Sequence, residues 1–155
     1  MIRYISSFMV VIILTLIAWN SNGRSLIGVD DANIYFVYMN HVAQGHGFVY
    51  NVGGEHVEGF TSLLWTIIGS IIMAVHLPLE MTLLLGNILL LSYLLSRIWT
   101  FIDGDKHFIS WNSALFLAVL SCIPGFIEWN ILSLLETGLW TALLGLLFLS
   151  IMEDA

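Results

Sequence analysis

The feature that most constrains this chain is the spacing of its charges, which leaves long apolar stretches without Asp, Glu, Lys or Arg. These stretches lie between Arg3 and Arg24, Glu58 and Glu80, Glu80 and Arg97, Lys106 and Glu128, and Glu136 and Glu153. A helix needs about 17–25 predominantly apolar residues to cross the hydrocarbon core of a bilayer. Charged residues make up only 10% of the chain, against about 25% in a typical globular protein. We therefore expect an integral membrane protein whose first partner is the lipid bilayer.

The same charges exclude other classes of protein. Four basic and eleven acidic residues give a net charge of −7, so we expect no surface for nucleic acid. The single cysteine, Cys122, lies in an apolar run, which excludes a disulfide scaffold and a cysteine-ligated metal site. Cys122 is therefore interpreted as a small hydrophobic residue.

Apolar runs and turn residues predict an all-α fold: a polytopic transmembrane helix bundle with about 4–5 spanning helices, in one membrane domain over residues 1–155. The predicted helices cover residues 4–19 and about 61–77, 81–102, 113–123 and 132–152, and an outer loop covers 20–60. The first helix follows a basic residue, as a signal peptide does. No small-residue cleavage site follows Ala18, which favours an uncleaved helix.

The basic residues predict the orientation of the chain. Arg3 favours a cytoplasmic N-terminus in the cytoplasmic (inner) membrane, which puts the 20–60 loop outside the cytoplasm. If every predicted helix crosses the membrane, the loop after Asp103 also lies outside. Arg97 and Lys106 favour the cytoplasmic side for that loop, so its position stays open.

The outer loop contains a predicted amphipathic helix that begins near Asp30 and ends before Gly45 and Gly47. Helical spacing places polar side chains on one stripe: Asp30, Asn33, Asn40, His41 and Gln44. The other faces are mostly apolar, and they carry Ile34, Tyr35, Tyr38, Met39 and Val42. This pattern indicates a juxtamembrane helix on the outer membrane surface, close over the bundle.

The paired carboxylates of Asp30 and Asp31 allow two interpretations. They suit the start of a helix, where a carboxylate caps free N–H groups and faces the positive end of the helix dipole. They could instead deprotonate a hydroxyl or hold a cation. Composition and periodicity do not choose between these roles. We predict no metal site, because the nearby histidines and glutamates match no compact ligand spacing; they are His41, His46, His56, Glu55 and Glu58.

Four segments together resemble a known family. Residues 30–36 (DDANIYF), 45–51 (GHGFVYN) and 57–65 (VEGFTSLLW) resemble the first outer loop of membrane glycosyltransferases of the GT-C superfamily, in its arabinofuranosyltransferase-like branch. Residues 134–139 (LLETGL) resemble the G-x-E-T element of that branch. The loop match extends over about 36 residues with several fixed spacings, which makes it more specific than an isolated Asp-Asp pair.

The resemblance implies a transferase that moves a sugar from a polyprenyl-phosphate carrier to a glycan or lipid acceptor outside the cytoplasm, with inversion at the anomeric carbon. It implies Asp30 as the general base, with Asp31 orienting it, capping the helix or sharing a cation. It also implies substrate contacts by Asn33, His46, Asn51, Glu58 and Glu136. No cofactor is implied, and a divalent cation near the phosphate is left open.

Enzymes of this superfamily have many more helices. The resemblance therefore implies that the chain is the N-terminal part of such an enzyme and incomplete alone: a truncated copy, a gene fragment, or one part of a split enzyme that a second chain completes.

Alternative interpretations remain open for the roles of two residues and for the function. Glu58 could instead accept backbone N–H bonds near a helix start, and Glu136 could be an interfacial glutamate without a role in the site. The chain could also be a small non-catalytic membrane protein, either a truncated remnant or an accessory subunit. A transporter-like bundle is a third hypothesis, although such a bundle concentrates polar groups at mid-bilayer and few occur here.

Overall fold

The computed structural model describes residues 2–23, 30–54, 57, 59–104, 110–121, 123 and 125–154. For Asp30 and Ser121 the description covers the backbone only. Over these residues the chain forms six α-helices and one π-helical turn, and no strand. The helices are α1 (Ile2–Ser21), α2 (Asp30–Ala43), α3 (Leu63–Ala74), α4 (Leu79–Asp103), α5 (Trp111–Ser121) and α6 (Thr137–Glu153), and the π-helical turn is Glu128–Leu132. The predicted all-α class is thus confirmed for the described part of the chain.

Local signals set most of the helix ends. The Ser62 side chain accepts a hydrogen bond from the Trp65 backbone N–H and so caps the start of α3. Helix α3 ends at Ala74, and the chain then turns through His76, whose φ is +60°. Pro78, which lacks a backbone N–H, precedes α4. Helix α3 is consequently shorter than the predicted 61–77 segment, whereas α4 matches its prediction within two residues at its start and one at its end.

The predicted 132–152 helix is divided in the structure. The π-helical turn ends at Leu132, and α6 begins only at Thr137. Between them Leu134 takes a left-handed conformation with φ +57°, a conformation that a branched side chain adopts only at a cost. This break turns the chain and places Glu136 immediately before α6.

Two of the described helices, α1 and α4, are long and apolar enough to cross a membrane. Helices α3, α5 and α6 are apolar but shorter. The 12 residues of α3 extend about 18 Å, well short of a hydrocarbon core of about 30 Å. Helix length alone therefore does not support the predicted four to five spanning helices.

Contacts along α4 define two ends of the bundle. Trp19, near the end of α1, lines a groove with Met81 and Leu84 from the start of α4. At the opposite end, the Arg3 guanidinium is 5.9 Å from the centroid of the Trp99 ring. Helices α1 and α4 are therefore antiparallel.

Helix α6 runs parallel to α4. Gly138 lies against Asn87, and Gly145 against Leu94, one heptad further along both helices. Near the ends of the same helices, Arg97 Nη2 is 2.7 Å from Glu153 Oε2. We call the end that contains Trp19, Leu79 and Glu136 the Glu136 end, and the end that contains Arg3, Trp99 and Glu153 the Arg97 end.

Helix α3 remains at the Glu136 end. The residue before its cap, Thr61, bonds to Glu136, and the helix leads through a short turn into the first residue of α4. Helix α2 packs on α3, with the Met39 side chain over Gly69. The sequence treated residues 61–77 as one of the spanning helices, but this helix begins and ends at the same end of the bundle.

The hydrophobic core lies between α1, α4, α6 and the π-helical turn. Its fully buried side chains include Val11, Leu91 and Ile131. Tyr35 and Met39 of α2 join the same cluster. The bundle therefore holds α2 firmly against its Glu136 end.

Candidate functional site

Helix α2 is fixed to the bundle by one buried face. Ala32, Tyr35 and Met39, at helical spacing, are between 0% and 4% exposed. Asp31 and Asn33 are exposed, as the predicted polar stripe requires for Asn33. Asp31 therefore belongs to the first turn of a helix that packing keeps in place.

The Tyr35 hydroxyl joins three parts of the chain. Its oxygen accepts the backbone N–H groups of Thr61 at 3.0 Å and Ser62 at 2.9 Å. The same hydroxyl donates to Glu136 Oε1 at 2.9 Å, across 101 residues of sequence. None of the hydrogen-bonding partners of this hydroxyl thus belongs to α2.

Thr61 completes this network. Its hydroxyl donates to the same Glu136 Oε1 at 3.0 Å, and its Oγ1 lies 2.7 Å from Tyr35 Oη. Burial is the main cause that raises the pKa of Tyr35 above its ordinary 10.0, and the neighbouring Glu136 raises it further, whereas the contacts of the Tyr35 oxygen with the Thr61 hydroxyl and backbone N–H oppose the rise. Tyr35 is therefore a neutral donor at physiological pH.

A further contact links the same segments. The Trp65 indole Nε1–H donates to the Leu134 carbonyl oxygen at 3.1 Å, and Trp65 is 3% exposed. Residues from three of the four family-like segments, 30–36, 57–65 and 134–139, thus meet at one place. Sequence reasoning singled out Glu136 but missed Tyr35, Thr61 and Trp65, which connect the 134–139 segment to the other two segments, although all three lie within the family-like strings.

A cleft of about 250 Å³ opens beside this network. Both Asp31 and Glu136 line it; the other lining residues are Ile34, Tyr35, Gly59, Thr61 and Leu135. The structure therefore brings together two carboxylates that sequence reasoning had selected separately. Glu136 is partly buried, and Asp31 is exposed.

A second cleft of about 530 Å³ adjoins the first, since Ile34 and Gly59 line both. Asn51 lines this second cleft together with Tyr38, Tyr50 and Val57. The ring of Tyr38 lies 4.9 Å from that of Phe60 and 5.8 Å from that of Tyr50, measured between centroids. This cleft is therefore lined by two tyrosine side chains together with the Asn51 amide.

The other predicted site residues either line neither cleft or have side chains outside the described part of the chain. Asp30 is the first residue of α2, and its side chain lies outside the described part of the chain, as does Glu58. Asn33 and His46 are exposed and line neither cleft. The His46 ring is 6.1 Å from that of His41, whose Nδ1 lies 2.8 Å from the Val49 carbonyl oxygen.

Among the described residues, no three His, Cys, Asp or Glu side chains lie close enough to hold a metal ion. Glu55 and His56, which the sequence considered as ligands, lie outside the described residues. Asp31 and Glu136 remain two carboxylates on one cleft. Carboxylate oxygens accept hydrogen bonds and, when ionised, can take up a proton, so the cleft suits a ligand that carries hydroxyl groups.

The chain matches no protein-family model, no curated protein and no solved structure.

Proposed function

We propose that the Glu136 end of this chain forms part of the active site of a membrane glycosyltransferase. The reaction would move a sugar from a polyprenyl-phosphate carrier to a glycan or lipid acceptor outside the cytoplasm, with inversion. One observation carries the proposal: the outer-loop segments and the 134–139 segment, which resemble GT-C motifs, meet at a cleft lined by Asp31 and Glu136. These segments are far apart in sequence, and a shared site gives a reason for their contact.

The proposed chemistry assigns a role to each carboxylate. Asp30 acts as the general base, and Asp31 orients it or the acceptor hydroxyl. An aspartate is a weak base for an alcohol, but the proton transfers readily once the hydroxyl oxygen bonds to an oxocarbenium-like carbon. A phosphate leaving group needs no strong acid. Asn51, Glu58 and Glu136 are proposed to contact the sugars.

We further propose that this chain crosses the membrane four times. Helices α1, α4 and α6 each run between the Glu136 end and the Arg97 end. The remaining crossing is made by residues 110–132, because Ser110 bonds to Asp103 at the Arg97 end, and Leu132 lines the Trp19 groove at the other end. Helix α3 does not cross. Arg3 and Arg97 then share the cytoplasmic side, which fits the positive-inside rule, and the 20–60 loop lies outside.

Single-cysteine labelling tests this topology. In a Cys122→Ser background, we expect Asn51→Cys and Glu80→Cys to react with an impermeant maleimide on intact cells. Asn112→Cys and Asp154→Cys should react only after the membrane is permeabilised, because they lie at the Arg97 end. Labelling of all four in lysed membranes is the control for accessibility. If α3 also crossed the membrane, the results for Glu80→Cys, Asn112→Cys and Asp154→Cys would all be reversed.

Sugar transfer is tested in membranes of the native host, where any partner chain is present. The gene is deleted and then restored as wild type, Asp30→Asn, Asp31→Asn or Asp154→Asn. Transfer from a panel of radiolabelled polyprenyl-phosphate sugars to endogenous acceptors is measured. Loss of a general base is expected to slow transfer by about a hundredfold or more in Asp30→Asn, with a smaller loss in Asp31→Asn.

Asp154→Asn is the matched control, because this exposed carboxylate lies just after α6, at the Arg97 end. It should transfer sugar at the wild-type rate. If deletion and wild-type membranes transfer every sugar equally, the proposed function is wrong, and the chain is a non-catalytic membrane protein.

A further inference from the structure

Glu136 is held by only one of its two carboxylate oxygens. Both Tyr35 and Thr61 donate to Oε1, and no described residue bonds to Oε2. The residue itself lines the 250 Å³ cleft together with Asp31. An ionised carboxylate oxygen accepts hydrogen bonds and donates none, so Oε2 suits a hydrogen-bond donor such as a sugar hydroxyl.

The Tyr35 oxygen that holds Oε1 is itself fixed in place. Two consecutive backbone N–H groups at the start of α3 donate to it. Its ring is 4% exposed and lies 6.5 Å from that of Phe60. The hydroxyl cannot shift without breaking its hydrogen bonds to the start of α3. The position of this segment therefore determines where the Glu136 carboxylate lies.

We propose that Tyr35 is a positioning residue: it holds Glu136 Oε1 so that Oε2 receives a substrate hydroxyl opposite Asp31. This inference rests on the proposed function, and it names the ligand of the Glu136 carboxylate as a hydroxyl of the sugar or acceptor rather than the carrier phosphate. A phosphate would bring a second negative charge to a carboxylate and would be repelled. Tyr35 thus acts through Glu136 and does not itself touch the reacting atoms.

A double-mutant cycle in the native-host membranes tests this role. Tyr35→Phe keeps the buried ring and removes the hydroxyl, and we expect transfer to fall by about a hundredfold, as for a misplaced binding group. In a Glu136→Gln background the same substitution should cost little more, because the group on which Tyr35 acts has already been changed. If the two losses multiply, Tyr35 does not act through Glu136, and the inference is overturned.

Tyr38→Phe is the matched control on the same helix. Tyr38 is 1% exposed, donates to the Val57 carbonyl and accepts the Gly59 N–H, but has no contact with Glu136. We expect its effect on transfer to multiply with that of Glu136→Gln. The amount of folded protein in the membrane is measured for every variant, so that a loss of folding is not read as a loss of positioning.

A second measurement does not depend on sugar transfer. The tyrosinate absorbance of Tyr35 is obtained in detergent as the difference between wild type and Tyr35→Phe, and it should titrate above pH 10. The fold favours the neutral phenol, so its contribution to stability is fully present below about pH 10 and is lost as the pH rises through the raised pKa.

Glu136→Gln removes a negative neighbour, so the titration of Tyr35 should move to lower pH. If this titration is unchanged in Glu136→Gln, the contact is absent and the inference fails, whether or not sugar is transferred. If the titration shifts but deletion of the gene leaves transfer unchanged, the contact stands, and the proposed function falls together with the positioning role of Tyr35.

Discussion

Gly138→Ala is expected to destabilise the folded chain by about 3 kcal/mol, as overpacking of a rigid site does. An added Cβ would lie 2.2 Å from the Asn130 carbonyl oxygen and 2.8 Å from Asn87 Oδ1. The carbonyl belongs to the backbone of the π-helical turn, so it cannot rotate away as a side chain would. Relief requires α6 to move away from the π-helical turn, which opens the core near the candidate site. Titration with SDS in mixed micelles measures the free energy of unfolding of the variant and of the wild type.

Gly86→Ala is the matched control for this prediction. Gly86 lies in α4, next to Asn87, and an added Cβ there meets no atom within 4 Å. Alanine is the better helix former by about 1 kcal/mol, so we expect equal or greater stability. Equal stability of the two variants would show that α6 and the π-helical turn do not approach as closely as described.

Asp103→Ala is expected to lower the free energy of unfolding, because it leaves several donors without an acceptor. Asp103 is 4% exposed. Its carboxylate accepts the Trp99 indole N–H at 2.7 Å, the Ser110 backbone N–H at 2.9 Å and the Ser110 hydroxyl. These bonds join the end of α4 to the start of α5. The substitution should therefore loosen α5 first, which hydrogen exchange of its amides measures.

Asp154→Ala serves as the control, because it removes an exposed carboxylate at the same end of the bundle. Its stability should stay within about 0.5 kcal/mol of wild type. Asp103→Asn should fall between the two, since an amide keeps one acceptor oxygen. A stability loss in Asp103→Ala no larger than in Asp154→Ala would contradict the proposed anchoring of α5.

Much of the candidate site could be predicted from the sequence because its signals are local. The Asp30 start and the Gly45 stop bracket α2 in the sequence, and the helix ends at Ala43 in the structure. Glu136 was selected because a carboxylate beside an apolar run is costly without a partner or water. Its partners could not be predicted, because Tyr35 and Thr61 have the pattern of ordinary buried and capping residues.

By itself the sequence determined that the chain is helical and where most of its helices begin and end. Apolar runs, caps and Pro78 act within a few residues, and no long-range contact is needed to interpret them. Only the tertiary structure decided that α3 stays at the Glu136 end, that the chain breaks at Leu134 before α6, and that Tyr35 meets Glu136. Each of these depends on which helix ends pack together, and hydropathy along a chain carries no information about that packing.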